Sequence, residues 1–100
     1  MPHYQKDADL VARLGERIGA LGMPLLVTRK FNGIVNAITM QVEDEYASPQ
    51  VVDTLFVALL QLAGHLREPE SGMVAGAVQE YREQTAKRLL KRGDRTSAST

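Results

Sequence analysis

Apolar residues recur along the first part of the chain with the spacing of an α-helix. The stripe consists of Leu10, Leu14, Ile18 and Leu21. Residues three and four apart lie on the same face of a helix, so these side chains form one buried stripe. Asp7 and Asp9 precede this stripe and fall in the first turn, where carboxylates complement the positive end of the helix dipole. The pattern predicts a first helix that begins near Lys6 or Asp7 and ends at Gly22.

Residues 24–46 carry two conflicting patterns. One helical face would hold Ile34, Ala37, Ile38, Gln41, Val42 and Tyr46. In the alternative interpretation, strands over 25–31 and 34–42 flank Asn32-Gly33, the strongest short signal for a β-hairpin. Periodicity favours the helix, whereas the β-branched residues of the second run suit a strand. We expect a helix here and keep a β-hairpin at 25–42 as the alternative.

The third predicted helix has the clearest signals. Ser48 is a good N-cap residue and Pro49 suits the first helical position, so we expect this helix to begin there. Across residues 51–66, apolar side chains cover most of the circumference. A helix that is apolar nearly all round is buried on most sides, either within one chain or against another subunit. Its end is predicted around residues 67–69, because Pro69 cannot continue it.

A fourth helix is predicted from Ser71, which serves as its N-cap, to about Arg92. Its inner stripe consists of Val74, Ala77, Val78, Tyr81, Thr85 and Leu89. Gly93 stands in the position at which a glycine often ends a helix. Residues 94–100 have nothing to bury, so we expect a disordered polar tail after a single helical domain at 1–93.

Together these elements predict an all-α fold, a compact bundle of about four helices. Apolar residues make up 44% of the chain, which is much for one small core, so we expect a homodimer. The expected dimer or partner interface lies on the third helix, with Tyr81 on its rim. Its residues are Leu55, Phe56, Leu59, Leu60 and Leu62. The glycine pairs Gly15/Gly19 and Gly72/Gly76 predict close helix packing, within the chain or between subunits.

Charge and composition exclude several classes of protein. Twelve basic side chains balance twelve acidic ones, so the chain lacks the positive excess typical of a nucleic-acid-binding protein. It has no cysteine, which excludes disulfides, thiol nucleophiles and iron–sulfur clusters. The first residues are polar and do not resemble a signal peptide. The most apolar stretch is too short and too interrupted by polar residues to span a membrane. We therefore expect a cytoplasmic protein without a membrane segment.

Candidate chemical groups are few. His65 lies three residues before Glu68, but this pair is two ligands short of a usual metal site. Ser48 and Ser71 are better explained as helix caps than as nucleophiles, because no His–acid arrangement accompanies them. The carboxylates of residues 43–45 are typical of a solvated acidic surface. We therefore expect no catalytic residue, no metal site, no cofactor and no enzymatic activity.

A basic block closes the predicted fourth helix. Four of its members are Lys87, Arg88, Lys91 and Arg92, and the fifth is Arg95 in the predicted tail. Basic groups near a helix C-terminus complement its dipole, which is the simplest interpretation. The same four residues are candidate contacts for an anionic partner. An acidic protein surface is expected ahead of nucleic acid, which the balanced charge of the chain disfavours.

In size, four-helix layout and lack of catalytic groups, the chain resembles the small bacterial quorum-sensing antiactivators. The resemblance depends on the predicted helices at 48–66 and 71–92 and their surplus apolar surface. It implies a helical dimer that binds a LuxR-type transcription factor and blocks its activity. The expected function is therefore a small regulator that binds another protein, such as a transcription factor, and inhibits it. The alternative is a small DNA-binding transcriptional regulator that uses the basic end of the last helix.

Overall fold

The computed structural model describes the backbone of residues 4–98 and the side chains of residues 4–92. This part of the chain forms four helices and no strand. They are α1 (Gln5–Gly19), α2 (Leu25–Glu43), α3 (Pro49–Ala63) and α4 (Glu70–Ala98). The predicted all-α fold is confirmed. Within the described residues, no helix combines the length and apolar character needed to cross a membrane.

Short loops connect the helices, so consecutive helices run antiparallel. α1 packs against α2 and α4, and α3 packs against the same two helices, which closes the four into a bundle. The beginning of α1, the α2–α3 loop and the later turns of α4 therefore meet at one end. We call this end, formed by residues 4–7, 43–48 and 84–92, the charged end.

The core lies between the four helices and is formed by their inward apolar faces. Fully buried members include Leu14, Ile18, Phe31, Ile38, Phe56, Leu59 and Val78. Phe31 of α2 and Phe56 of α3 are the largest of these side chains. Burying a side chain of this kind stabilises the fold by about 1.5–3 kcal/mol, so apolar contacts across the bundle are its main source of stability.

Residues 25–43 form a helix, so the hairpin alternative at 25–42 is wrong. The buried residues of α2 are Phe31, Val35, Ile38 and Val42, at helical spacing. Gly33 lies inside the helix, and the positive φ that an Asn-Gly hairpin turn needs occurs in the described chain only at Gly22. Packing of one helical face in the core outweighs the β-propensity of this segment, because most helix stability in proteins comes from such packing.

α3 begins as predicted. The Ser48 hydroxyl accepts a hydrogen bond from the backbone N–H of Val51 at 3.4 Å. This bond satisfies one of the amide groups that the first turn of a helix leaves without a partner. α3 ends at Ala63, a few residues before the predicted end around residues 67–69.

α1 ends earlier than expected, at Gly19 instead of Gly22. Gly22 lies in the following loop with a φ of 69°. This is the left-handed region, which glycine adopts without the steric cost that a Cβ atom brings. The residue therefore turns the chain toward α2 instead of ending α1.

α4 is longer than expected. It begins at Glu70 and continues past Gly93 to Ala98, so a helix stands where the disordered tail was predicted from residue 94. A glycine inside a helix costs about 1 kcal/mol relative to alanine, which is too little to end a long helix by itself. Residues 99–100 of the predicted tail lie outside the described residues.

Gly15 supplies a close helix approach of the kind that its glycine pair predicted. A Cβ atom at this position would lie 3.3 Å from Val35 Cγ1 and 3.5 Å from Asn32 Oδ1. The approach joins α1 to α2 within one chain. Gly19 and Gly76 have open space where a side chain would stand.

We expect Gly15→Leu to lower the free energy of unfolding by about 1–3 kcal/mol, because the larger side chain pushes α1 away from α2. Gly76→Ala is the matched control in an open helical position. It should raise the free energy of unfolding by about 0.4–1 kcal/mol, because alanine restricts the unfolded chain and meets no neighbour. Urea denaturation followed by circular dichroism measures both. Similar changes in the two variants would contradict the close approach at Gly15.

Candidate binding surfaces

A cleft at the charged end lies between the beginning of α1 and the later turns of α4. It is open to solvent and has a volume of about 810 Å³. Its lining residues are Tyr4, Gln5, Lys6, Asp7, Gln84, Lys87, Arg88, Lys91 and Arg92. Five of these are basic and one is acidic, so the cleft concentrates positive charge in a chain whose formal net charge is zero. We call it the basic cleft.

Asp7 is the acidic residue of the basic cleft, and it binds two arginines. Arg88 Nη1 donates to Asp7 Oδ1 at 2.9 Å, and Arg92 Nη2 donates to Asp7 Oδ2 at 2.9 Å. The Asp7 side chain is only 12% exposed. A charge with so little access to water costs free energy unless it is paired and hydrogen-bonded. Asp7 therefore ties the first turn of α1 to α4.

Arg92 lies largely inside the fold. Its Nη2 also donates to the Val42 carbonyl at 2.7 Å, and its Nη1 donates to the Asp44 carbonyl at 3.2 Å. The guanidinium carbon lies 3.3 Å from the centroid of the Tyr4 ring, a cation–π contact. The side chain is 10% exposed and links α1, α4 and the end of α2. The prediction that Arg92 contacts an anionic partner is therefore corrected, because its charge is used within the fold.

The other three predicted anion contacts are on the surface. They are Lys87, Arg88 and Lys91. All three are exposed on α4 and line the basic cleft, with Lys6 across from them on α1. The Arg88 side chain is 45% exposed although it pairs with Asp7. Among the described side chains, Lys87 and Lys91 have no hydrogen bond or ion pair. The basic cleft thus retains positive charge that the fold does not neutralise.

An acidic segment lies next to the basic cleft at the charged end. Glu43, Asp44 and Glu45 are exposed, and Tyr46 after them is 86% exposed. Asp44 Oδ1 accepts a hydrogen bond from the Tyr46 backbone N–H at 2.9 Å, an arrangement that holds a turn. We call residues 43–46 the acidic loop. The sequence alone predicts an ordinary solvated surface for these carboxylates, because their proximity to Arg92 exists only in the folded chain.

Two of the predicted interface residues are in the core. Phe56 and Leu59 are 1% and 0% exposed in a single chain. Leu59 is therefore not accessible to a partner, and Phe56 reaches the surface only as the floor of a groove. Their assignment to an exposed interface is corrected, because the neighbouring helices cover the inward side of α3. The other predicted residues are half-buried and pack against the core. They are Leu55, Leu60, Leu62 and Tyr81.

An apolar groove runs between the first turns of α3 and the later turns of α4. It has a volume of about 100 Å³. Its lining residues are Pro49, Val52, Asp53, Phe56, Arg82, Ala86, Leu89 and Leu90. Val52, Phe56 and Leu89 are buried and form its floor, whereas Leu90 at its edge is 67% exposed. We call it the α3–α4 groove.

Asp53 and Arg82 form a bidentate ion pair that lines the α3–α4 groove. Arg82 Nε donates to Asp53 Oδ1 at 2.6 Å, and Arg82 Nη2 donates to Asp53 Oδ2 at 2.9 Å. These hydrogen bonds lower the pKa of Asp53 from its ordinary value and raise the pKa of Arg82. The pair stays charged at neutral pH and places both signs of charge beside an apolar surface.

Several large apolar side chains are exposed. One of them is Tyr46, which the sequence predicts on a helical face although α2 already ends at Glu43. The exposed side chains are Leu25, Leu26, Met40, Tyr46, Val51, Met73 and Leu90. A signal for one of them was present. Leu89 and Leu90 are adjacent on a helix and so point in different directions, which means that only one of them fits the inward stripe. Leu89 takes the inward position, so Leu90 is exposed at the edge of the α3–α4 groove.

The groups considered for chemistry lie apart from one another. His65 is exposed in the loop after α3, Ser48 caps that helix, and Ser71 is in the first turn of α4. Over the described residues, no group of three or more His, Asp or Glu side chains is placed to hold a metal ion. His3 lies outside the described residues.

Compared with known proteins, the chain matches no family model, no curated protein and no solved structure. The candidate binding surfaces are the basic cleft, the acidic loop and the α3–α4 groove.

We expect Asp7→Asn to lower the free energy of unfolding by about 3 kcal/mol, because an amide leaves Arg92 without a neutralising charge in a poorly hydrated site. Asp9→Asn is the matched control two residues away. The Asp9 carboxylate is exposed and accepts a hydrogen bond from Gln5 Nε2, so this change should stay within about 0.5 kcal/mol. Denaturant titration at neutral pH measures both, and equal losses would contradict a special role of Asp7.

We expect the Asp53–Arg82 pair to make the wild type more stable than Asp53→Asn by about 0.5 kcal/mol at neutral pH, since solvent screens a half-exposed pair. The folded-state pKa of Asp53 lies below its unfolded value. The advantage is therefore fully present above the unfolded pKa and is lost as pH falls through the folded pKa. Denaturant titrations from neutral to acid pH should show the two stabilities converge. A constant difference would exclude the pair as its source.

Proposed function

We propose that this chain is a small helical regulator that acts by binding another protein and has no chemistry of its own. The observation that carries the proposal is the α3–α4 groove, which has a buried apolar floor and an exposed apolar edge. Protein interfaces derive most of their affinity from a few anchor side chains seated in well-packed pockets. The groove therefore supports binding of an apolar side chain from a partner.

The size of the α3–α4 groove suits one side chain rather than a whole small molecule. Its volume is about 100 Å³, whereas sites for small molecules usually enclose about 300–1,000 Å³. An amphipathic helix of the partner is the fitting occupant, because it can lie along the two helices and insert one apolar residue between them.

The edge of the α3–α4 groove adds selectivity. Asp53 and Arg82 present a carboxylate and a guanidinium beside the apolar floor, and Leu90 extends the apolar area on α4. Apolar anchors supply affinity, while charged groups around them favour partners with complementary charges. A partner helix with an apolar anchor flanked by polar side chains of both signs matches this arrangement.

A transcription factor remains the class of partner that we propose, and inhibition remains the proposed action. A small domain inhibits such a partner when it covers a surface that the partner needs for its own activity. The described chain offers helices and no strand edge, so recognition by helix packing is better supported than recognition by strand addition.

DNA binding by the basic end of α4 has less support. Arg92 donates hydrogen bonds to Asp7 and to two backbone carbonyls, and Arg88 also donates a hydrogen bond to Asp7. Arg92 also joins the basic cleft to the acidic loop, whose carboxylates repel a phosphate backbone. Protein binding therefore stands as the proposed function.

The test fills the α3–α4 groove without altering the core. Ala86 is exposed and lines the groove, so Ala86→Arg places a long charged side chain in it. Ala12→Arg, on the exposed face of α1, is the matched control. We expect the wild type and Ala12→Arg to retain the same protein from a nuclease-treated lysate of the native host. Ala86→Arg should bind that protein about 30-fold more weakly or worse, as expected for loss of an anchor contact.

Circular dichroism verifies that both variants keep the helix content of the wild type. Binding of the retained protein to Ala86→Arg with unchanged affinity would exclude the groove as its site. If the wild type retains no protein under conditions that express the native partner, a stable protein-binding role is overturned.

A further inference from the structure

The charged end carries opposite charges side by side. The basic cleft holds five basic residues and one carboxylate, and the acidic loop next to it presents three exposed carboxylates. Arg92 sets their relative position, because it binds Asp7 in the cleft and the Asp44 carbonyl in the loop. Since Arg92 is largely buried, the two surfaces are held in one fixed arrangement.

Neither surface is fully neutralised by the side chains that the structure describes. Among the described side chains, Lys87 and Lys91 of the basic cleft form no ion pair, and the same is true of Glu43 and Glu45 in the acidic loop. Charges of one sign gathered on a small surface repel one another and attract the opposite charge from solution. Each surface therefore favours a molecule that brings its counter-charge.

We propose that the occupant of the basic cleft is the acidic loop of a second copy of this chain. In a dimer with two-fold symmetry, each copy places its acidic loop in the basic cleft of the other, so the same contact forms twice. The two surfaces lie next to each other on one end of the bundle, which is the arrangement that such a self-complementary contact requires. Carboxylates 43–45 are the recognised group, and Lys87 and Lys91 are their main partners.

Exposed apolar side chains in and near the acidic loop provide apolar surface that a dimer can bury, which ion pairs alone do not provide. Tyr46 is 86% exposed at the end of the loop, and Met40, one turn before Glu43, is 72% exposed. Exposed ion pairs contribute little net free energy in water. Burial of Tyr46 and Met40 accounts for the affinity of the dimer, and the charges determine how the two copies align.

A second copy suits this end of the bundle better than nucleic acid does. A phosphate backbone carries one sign of charge, so it meets repulsion from the acidic loop as soon as it approaches the basic cleft. A second copy brings the matching sign to both surfaces. The formal net charge of zero also leaves little overall repulsion between copies.

The dimer uses a surface separate from the one proposed for partner binding. No residue that lines the α3–α4 groove belongs to the basic cleft or to the acidic loop. Ala86→Arg should therefore dimerise like the wild type. Failure of the dimer and failure of the groove as a binding site are distinguishable for this reason.

A charge exchange between the two surfaces tests the dimer. One variant carries Lys87→Glu and Lys91→Glu, and the other carries Glu43→Lys and Glu45→Lys, all at exposed positions. Each variant alone sets like charges against each other, so its dimer dissociation constant should rise about 100-fold. Mixed in equal amounts, the two variants match at both contacts and should form a one-to-one dimer. Sedimentation velocity measures the association, and native mass spectrometry identifies the composition.

The control is Arg29→Glu with Lys30→Glu, which makes the same change in net charge on the exposed face of α2 and should dimerise like the wild type. The wild-type dimer should weaken as salt rises from about 0.1 M to about 1 M, where charges are screened within a few ångströms. A monomeric wild type at low salt, dimerisation of either exchange variant alone, or a monomeric mixture would each overturn the proposal. Binding of duplex DNA or an unrelated acidic peptide to a monomeric wild type would also overturn it.

Discussion

The buried guanidinium of Arg92 is the constraint on which the arrangement of the charged end depends. A charge with so little access to water has to be paired and hydrogen-bonded, and here the partners come from different parts of the chain. Asp7 comes from α1, the Val42 carbonyl from α2 and the Asp44 carbonyl from the loop that follows. The Tyr4 ring covers the guanidinium face. α4 therefore has to sit where all of these groups can reach one side chain.

The surfaces of the molecule follow from this arrangement. Because Arg92 faces inward, Lys87 and Lys91 of the same helix are exposed in the basic cleft, and the acidic loop is held beside them. On another side of α4, Ala86 and Leu90 border a groove whose floor belongs to the core. One helix thus contributes to two separate surfaces. The proposed partner site and the proposed dimer contact therefore occupy different surfaces of a chain of 100 residues.

Local signals predicted the fold well and the surfaces only in part. The Ser48 cap and the apolar residues that follow it predicted α3 directly, since a helix start depends on residues within one turn. The helix end predicted at Gly93 is wrong, because one glycine lowers the stability of a long helix only slightly. Phe56 and Leu59 were assigned to an interface because an all-apolar helix indicates burial without indicating what covers it. Lys87 and Lys91 were predicted as anion contacts, and their exposure is consistent with that.

Periodicity and caps in the sequence predict a bundle of helices, because both act over a few neighbouring residues. They also predict about four helices, but the choice between helix and hairpin at 25–42 came from packing of α2 in the core. Which charges serve the fold and which stay exposed depends on how the helices pack. Asp7 and Arg92 are 85 residues apart, and nothing near either of them in the chain indicates their contact. Their pairing exists because helix packing brings α1 against α4, and that packing leaves the neighbouring lysines and carboxylates on the surface.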